Sequence, residues 1–154
     1  MTIAIEEVIH KARTECAQVG IKLTDKREKI LTVLLSARAP LSAYDIVEQY
    51  RNQFDETLPA MSVYRILHLL VEHKIAHKLQ TTNQFLACAH LACDHEHEVP
   101  QFLICDHCHS VEEVGLRKAL VKELHQSVKK TGFEVANQQL ELHGLCSRCQ
   151  SEKT

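Results

Sequence analysis

The chain has 154 residues with 45% apolar and 25% charged residues, and its net charge is −2. This length allows one ordinary domain or two small ones, and the composition excludes a collagen, a coiled coil or a broadly disordered chain. No apolar run approaches the ~20 residues of a membrane helix, and the acidic start is unlike a signal peptide, so we expect a cytoplasmic protein that is not associated with a membrane.

Two helices are predicted before residue 37. The first runs from about Ile5 to Val19 and stops at Gly20, a residue that readily adopts a left-handed backbone. The second opens at Thr24 or Asp25, since Asp25 and Glu28 have the spacing of a capping box. Its apolar positions predict a buried stripe of Ile30, Leu31, Leu34 and Leu35.

Two more helices follow Pro40. Ser42 is predicted to cap the third helix with Asp45 as its partner three residues on. The fourth begins at Pro59 and continues to about Lys74. Its apolar face comprises Val63, Ile66, Leu67, Leu70 and Val71, and its polar face comprises Ser62, Tyr64, Arg65 and His68.

A hairpin is predicted after the fourth helix. Residues 75–79 and 84–88 read as short strands around a turn at 81–83. Three packed helices followed by a hairpin is the plan of a winged helix-turn-helix. An exposed Arg65 beside Tyr64 suits a recognition helix, because an Arg fork can bind a guanine edge. Many surface helices carry such a pair without binding DNA, so this pattern alone is only suggestive.

The second half switches to strands. Residues 101–105 and 110–114 are predicted strands around a tight turn, Leu116 to Lys130 a helix ended by Gly132, and Phe133 to Leu142 a strand. The fold class is therefore α+β, with an N-terminal winged helix-turn-helix in residues 1–82, a hinge at about 80–85, and a small α/β domain in residues 83–154. This second domain is thin, so we expect metal binding, dimerisation or both to complete it.

Cysteine and histidine are concentrated in the second half, where nine of eleven His and six of seven Cys lie after residue 70. Cys105 and Cys108 form one CxxC pair, and Cys146 and Cys149 form another. Four thiolates paired in this way suit a closed tetrahedral zinc site. A redox CxxC pair or an iron–sulfur cluster are the rival interpretations, but neither pair opens a helix in a βαβ context.

A second metal site is predicted from the ligands that remain. A zinc ion takes four ligands, so most of these thirteen candidates must be bystanders, and spacing alone does not choose among them. Thiolate, imidazole and carboxylate together suit zinc. The set comprises His77, Cys88, His90, Cys93, Asp94, His95, Glu96, His97, Glu98, His107, His109, Glu112 and Glu113.

Several segments together resemble the ferric uptake regulator superfamily, and within it the zinc uptake regulator branch. The resemblance extends from about residue 8 to residue 150, and the combination is far more specific than any one segment. The matching segments are Leu23–Arg27, Ser42–Ile46, Val63–Arg65, Phe102–Cys108 and His143–Cys149.

This resemblance implies a dimeric, metal-responsive repressor with an N-terminal winged helix and a C-terminal dimerisation domain. It implies two zinc ions per chain. The structural zinc would be held by Cys105, Cys108, Cys146 and Cys149, and the regulatory zinc by His77, Cys88, His97 and Glu113, with His95 as the alternative to His97. Implied DNA contacts are Arg27, Tyr44, Ser62, Tyr64 and Arg65.

The sequence departs from the family pattern in three places. Seven residues separate His97 from Cys105, where the histidine-rich run usually lies closer to the first CxxC pair. His109 stands where relatives usually have Gly, and it would either add a ligand or fill a turn. Lys26 replaces a frequent Gln near the DNA backbone, a change of small expected effect.

The function that we predict is zinc-responsive, sequence-specific repression of zinc-uptake genes at an AT-rich palindromic operator. Zinc at a hinge site would favour a homodimer whose winged helices match successive half-sites. The alternatives are a regulator of the same superfamily that senses another metal, a zinc buffer, or a metal-dependent hydrolase with Glu113 as its base. We do not expect an enzyme.

Overall fold

The computed structural model describes residues 2–88, 91, 99–136 and 139–152, with the side chains of residues 2–4 excluded. The described chain forms two compact units, Met1–Asp94 and His95–Thr154. The elements of the first unit are α1 (Thr2–Gln18), α2 (Asp25–Ser36), α3 (Ala43–Phe54), α4 (Ala60–Glu72), β1 (Ala76–Leu79) and β2 (Gln84–Ala87). Within the described ranges, no helix is both long and apolar enough to cross a bilayer.

The second helix begins where the sequence predicts, but without the predicted capping box. Gly20 ends the first helical segment with φ 78°, as expected. The N-cap of α2 is Thr24, whose side chain makes no capping hydrogen bond, so the capping box expected from Asp25 and Glu28 is wrong. Both carboxylates have other partners, because Arg13 Nε lies 2.6 Å from Glu28 and Lys29 Nζ lies 3.0 Å from Asp25.

The third and fourth helices match their predictions closely. The predicted capping box at α3 is present, with Asp45 N–H donating to Ser42 Oγ. Pro59 precedes α4, and Val63, Leu67 and Leu70 are its fully buried residues. These side chains join one continuous core with the buried faces of α1, α2 and α3.

Ion pairing fixes the connection between α3 and α4. Lys29 Nζ lies 2.7 Å from one carboxylate oxygen of Glu56, and the Tyr50 hydroxyl donates to the other at 3.1 Å. These contacts lower the pKa of Glu56, with the Lys29 hydrogen bond as the main cause. The segment that leads into α4 is therefore tied to both preceding helices.

The wing contains one more pairing than the sequence predicts. β1 and β2 pair antiparallel, with His77 opposite Leu86. Leu41 joins the sheet through two backbone hydrogen bonds with Phe85, at 2.9 and 2.7 Å. The predicted winged helix-turn-helix is confirmed, and Leu41 anchors the segment before α3 to the wing.

The described residues of the second unit form a three-stranded sheet and two helices. Its elements are β3 (Val99–Cys105), β4 (Val111–Leu116), α5 (Lys118–Lys129), β5 (Leu140–Gly144) and α6 (Ser147–Glu152). The strand order is β4-β3-β5; β4 pairs antiparallel with β3, and β5 pairs parallel with it. The α+β class is thus confirmed.

The long strand predicted from Phe133 to Leu142 is wrong in its first part. Residues 133–136 have no strand structure, and strand pairing begins at Leu140. Phe133 follows Gly132, whose φ is 83°, and its side chain is exposed, so its alternation with Val135 does not reflect burial in a sheet. The short helix α6 was not predicted.

The first unit extends past the predicted boundary between residues 82 and 83. Residues 84–87 form β2, which pairs with β1 and therefore belongs with the helices of the first unit. Cys88 also belongs to the first unit, since its N–H donates to the Ile75 carbonyl, just before β1, at 2.9 Å. Strand pairing in the wing accounts for this longer first unit.

Candidate metal centres and nucleic-acid interface

The four CxxC cysteines meet in the second unit. Cys105 ends β3, Cys108 lies in the turn that follows, Cys146 precedes α6, and Cys149 lies within it. Parallel pairing of β3 with β5 ends at Cys105 and Gly144, which brings the second pair beside the first. All four sulfurs lie within 4.8 Å of one another, and all four thiols are free.

The spacing of these sulfurs fits a tetrahedral zinc ion. Zinc–sulfur bonds of about 2.3 Å place the corners of a regular tetrahedron about 3.8 Å apart. Cys108 Sγ and Cys146 Sγ are 3.8 Å apart. The donor set and its dimensions therefore fit a closed Cys₄ site, and they do not resemble a solvent-open redox pair.

The thiol pKa values show how closely the four groups interact. The Ser110 hydroxyl and backbone N–H lower the pKa of Cys108 to about 5, and backbone N–H groups of Cys108 and Cys146 lower that of Cys105. Burial, followed by the neighbouring sulfurs, raises the pKa of Cys149 to about 12. Four thiolates at this spacing need a cation to balance their charge.

Other polar groups surround the cysteines. His143 Nδ1 hydrogen-bonds Asp106 Oδ1 at 2.8 Å, so His143 acts as the hydrogen-bonding strand residue that its position suggests. Potential ligand atoms of His107 and Glu152 lie within 4.8 Å of Cys149 Sγ. That group shares Cys149 with the four-cysteine set and is therefore not an independent site.

Two of the predicted regulatory ligands come together in the first unit. His77 lies on β1 and Cys88 directly after β2, and hairpin pairing brings the two strands side by side. The ligand atoms of the two residues lie within 4.8 Å of each other. Cys88 is 3% exposed and His77 Nε2 is buried, so both donors are shielded from bulk water.

The remaining predicted regulatory ligands are Glu113 and one imidazole, from His97 or His95. Glu113 lies on β4 in the second unit and is half-buried. His97 and its alternative His95 lie outside the described residues.

The predicted recognition helix presents the expected side chains. Arg65 is exposed on α4, Tyr64 is 38% exposed, and Ser62 is half-buried. Met61, which the sequence analysis did not single out, is 65% exposed in the first turn of the same helix. It lies one helical turn before Arg65, and a spacing of four residues is the signal that would have identified it. Exposed apolar side chains of this kind can contact a thymine methyl group.

The two remaining predicted DNA contacts lie on other helices. Tyr44 is in the first turn of α3 and is 71% exposed. Arg27 is in the first turn of α2, half-buried, and donates to the Lys22 carbonyl at 2.7 Å. Tyr44 is therefore open to a partner, whereas the Arg27 guanidinium is partly engaged within the chain.

Comparison with known proteins identifies relatives across almost the whole chain. The sequence model described as the Ferric uptake regulator family matches residues 18–143. The Zinc uptake regulation protein of Escherichia coli (strain K12) is 32% identical over 144 residues, which are 94% of this chain and 82% of that protein.

Solved structures agree with this assignment. A zinc uptake regulator complexed with zinc and DNA superposes with a TM-score of 0.84 at 28% identity, covering 97% of both chains. The structure described as holo XcZur has a TM-score of 0.78 and 34% identity, covering 93% of this chain and 96% of that one. The family match and the relative from Escherichia coli lead to one conclusion: this chain belongs to the ferric uptake regulator family.

Proposed function

We propose that the protein is a zinc-responsive, sequence-specific DNA-binding repressor of zinc-uptake genes. The observation that carries this proposal is the buried pair of His77 and Cys88 beside the wing of a DNA-binding fold. A thiolate is a soft ligand that favours zinc over iron. Relatives named as zinc uptake regulators support the same function.

The first unit would read DNA through α4. Arg65 would donate to a guanine edge in the major groove, while Tyr64 and Tyr44 would donate to phosphate oxygens or contact thymine methyls. Ser62 would contribute a hydroxyl from the same helix, and Arg27 would lie near the backbone. The chain is acidic overall, so this local surface has to supply the attraction.

Two zinc ions per chain complete the proposal. Cys105, Cys108, Cys146 and Cys149 would hold the structural ion, which fits their sulfur spacing. His77, Cys88, His97 and Glu113 would hold the regulatory ion, with His95 as the alternative to His97. This assignment rests on the family resemblance and on the proximity of His77 to Cys88.

Regulation would follow from ligands that come from both units of the chain. A bound regulatory ion would supply a crosslink between them and raise the population of the DNA-binding arrangement. Without that crosslink, the arrangement of the two units would be less restrained, and operator binding would carry an ordering cost.

A homodimer on an AT-rich palindromic operator is the proposed assembly. Each protomer would place one α4 in a half-site, as dimeric helix-turn-helix proteins do. In support, the second unit exposes several large apolar side chains, and a partner protomer would cover them. These are Leu103, Val114, Leu120, Leu124, Phe133 and Leu142. A cytoplasmic location is part of the proposal, and the bacterial regulator among its relatives supports it.

Substitution of Arg65 tests the proposed DNA interface. Arg65→Ala should weaken binding to the operator by about 1–3 kcal/mol, or roughly 5- to 150-fold, because one base contact is lost. Fluorescence anisotropy of a labelled operator at saturating zinc measures this loss. Arg117→Ala is the matched control, since Arg117 is also an exposed arginine but lies in the second unit.

The variants should be compared on an unrelated duplex at the same salt concentration. The proposal predicts a loss on the operator that greatly exceeds the loss on the unrelated duplex. Equal affinities of Arg65→Ala and Arg117→Ala for the operator would contradict a base-reading role for α4.

A further inference from the structure

Ser110 contacts both cysteines of the first CxxC pair. It directly precedes β4, and its carbonyl oxygen accepts a hydrogen bond from Cys105 N–H at 2.9 Å. Its hydroxyl oxygen lies 3.1 Å from Cys108 Sγ. The backbone contact to Cys105 restrains Ser110, so its hydroxyl is held against Cys108.

Cys108 is the sulfur that relies most on a side chain for its hydrogen bonding. Cys105 Sγ accepts from the backbone N–H of Cys146 at 3.4 Å, a contact that does not depend on side-chain type. Cys105 and Cys149 are buried, whereas Cys108 is half-buried.

Charge explains why these donors matter. Four thiolates around one divalent cation retain a net negative charge, and hydrogen bonds to an ionised acceptor are stronger than neutral ones. A hydroxyl that donates to a thiolate stabilises its anionic form, which is the form that binds metal.

We propose that Ser110 is a positioning residue of the four-cysteine site, where its hydroxyl donates to the Cys108 thiolate and strengthens zinc binding. This inference rests on the proposed assignment of that group as a zinc site. Partners that hydrogen-bond metal ligands typically contribute about 10- to 100-fold to metal affinity. Loss of the Ser110 hydroxyl should therefore weaken zinc binding about tenfold, without loss of the Cys105 backbone contact.

The test is a zinc competition titration against a chromophoric chelator, with cobalt as a spectroscopic probe of thiolate ligands. Every protein is the full chain carrying Cys88→Ser, so that the second candidate site contributes no thiolate. Ser110→Ala removes the hydroxyl, and Ser110→Thr retains it. Ser147→Ala is the matched control, because Ser147 is an exposed serine within the other CxxC pair.

The inference predicts a roughly tenfold loss of zinc affinity in Ser110→Ala, with Ser110→Thr and Ser147→Ala close to the parent protein. Equal affinities of Ser110→Ala and Ser147→Ala would overturn it. So would a loss in Ser110→Thr as large as that in Ser110→Ala, because packing would then be the cause. Absence of thiolate-to-cobalt absorption in the parent would overturn the proposed zinc site itself.

Discussion

His109 has a left-handed backbone, with φ 61°, directly after the first CxxC pair. Its N–H donates to the Cys105 carbonyl at 2.9 Å and closes the turn that carries Cys108. A residue other than Gly in a left-handed conformation lowers the stability of the fold by about 1–2 kcal/mol. Gly avoids this strain, but it loses more conformational entropy on folding, at a cost of roughly 0.5–1 kcal/mol. The position would therefore suit Gly, the residue that the family resemblance leads us to expect here, and His109 fills the turn.

Substitution of His109 tests whether this residue only fills the turn or also binds the metal. His109→Gly should leave the free energy of unfolding within about 1 kcal/mol of the parent protein, because relief of strain and the flexibility of Gly nearly offset each other. His109→Val should be destabilising, since β-branched residues strongly disfavour positive φ. Urea denaturation measures both values, and zinc content per chain is measured in parallel. A loss of bound zinc in His109→Gly would show that His109 is a ligand.

The sequence predicted site residues correctly where a short motif fixes their spacing. The two CxxC pairs indicated four thiolates at one site, and these sulfurs do lie together. Ser110 was not predicted, because its contact with Cys108, two residues earlier, depends on the local geometry of the turn and not on a recognised motif. The choice between His95 and His97 stays a prediction, since spacing alone does not decide between them and both lie outside the described residues.

At the scale of elements, α2 and α3 begin in different ways. Ser42 forms a reciprocal capping box with Asp45, so two backbone N–H groups at the start of α3 are satisfied by side chains. Thr24 precedes α2 without a side-chain hydrogen bond to it. The two residues are therefore natural partners for a comparison of capping strength.

Ser42→Ala should lower the free energy of unfolding by about 1 kcal/mol, because Ser42 accepts a hydrogen bond that Ala cannot. Thr24→Ala is the control and should have a much smaller effect. Tyrosine fluorescence follows the transition, since Tyr44, Tyr50 and Tyr64 all lie in the first unit and the chain has no Trp. Equal destabilisation of the two variants would contradict the observed difference in capping.

Element prediction succeeded where one face of an element is buried. The apolar repeat of α4 indicated Val63, Leu67 and Leu70, and all three are buried. Phe133 alternates with Val135 as a strand residue would, but it is exposed, so its pattern reflects neither strand nor core. The pairing of Leu41 with Phe85 joins residues 44 positions apart, a separation at which sequence periodicity carries no signal.

At the scale of the whole molecule, the two units differ in their apolar cores. One large cluster unites the helices of the first unit with its wing. The buried side chains among the described residues of the second unit are Phe102, Ile104, Cys105, Val121 and Cys149. Two of these five residues, Cys105 and Cys149, belong to the four-cysteine site. Metal binding and folding of the second unit are therefore expected to be coupled. The sequence indicated this dependence through the thinness of the second domain.

The chemical division of the chain parallels these two units. Residues 1–94 carry no net charge, and residues 95–154 carry a net charge of −2. The whole chain therefore has no general attraction for DNA, and zinc-controlled binding has to depend on the α4 surface and on its arrangement in a dimer. Cys88 is the residue on which this control is proposed to depend.

The most direct test of this account is operator binding measured by fluorescence anisotropy across a range of buffered free zinc. The proteins are the parent chain, Cys88→Ser and Cys16→Ser; the last is the matched control, since Cys16 is a buried cysteine of the same unit with 2% exposure. Zinc should raise the operator affinity of the parent and of Cys16→Ser by about 1–3 kcal/mol, a typical coupling between sites, and leave that of Cys88→Ser unchanged. A zinc-dependent gain in Cys88→Ser equal to that of the parent would contradict the account.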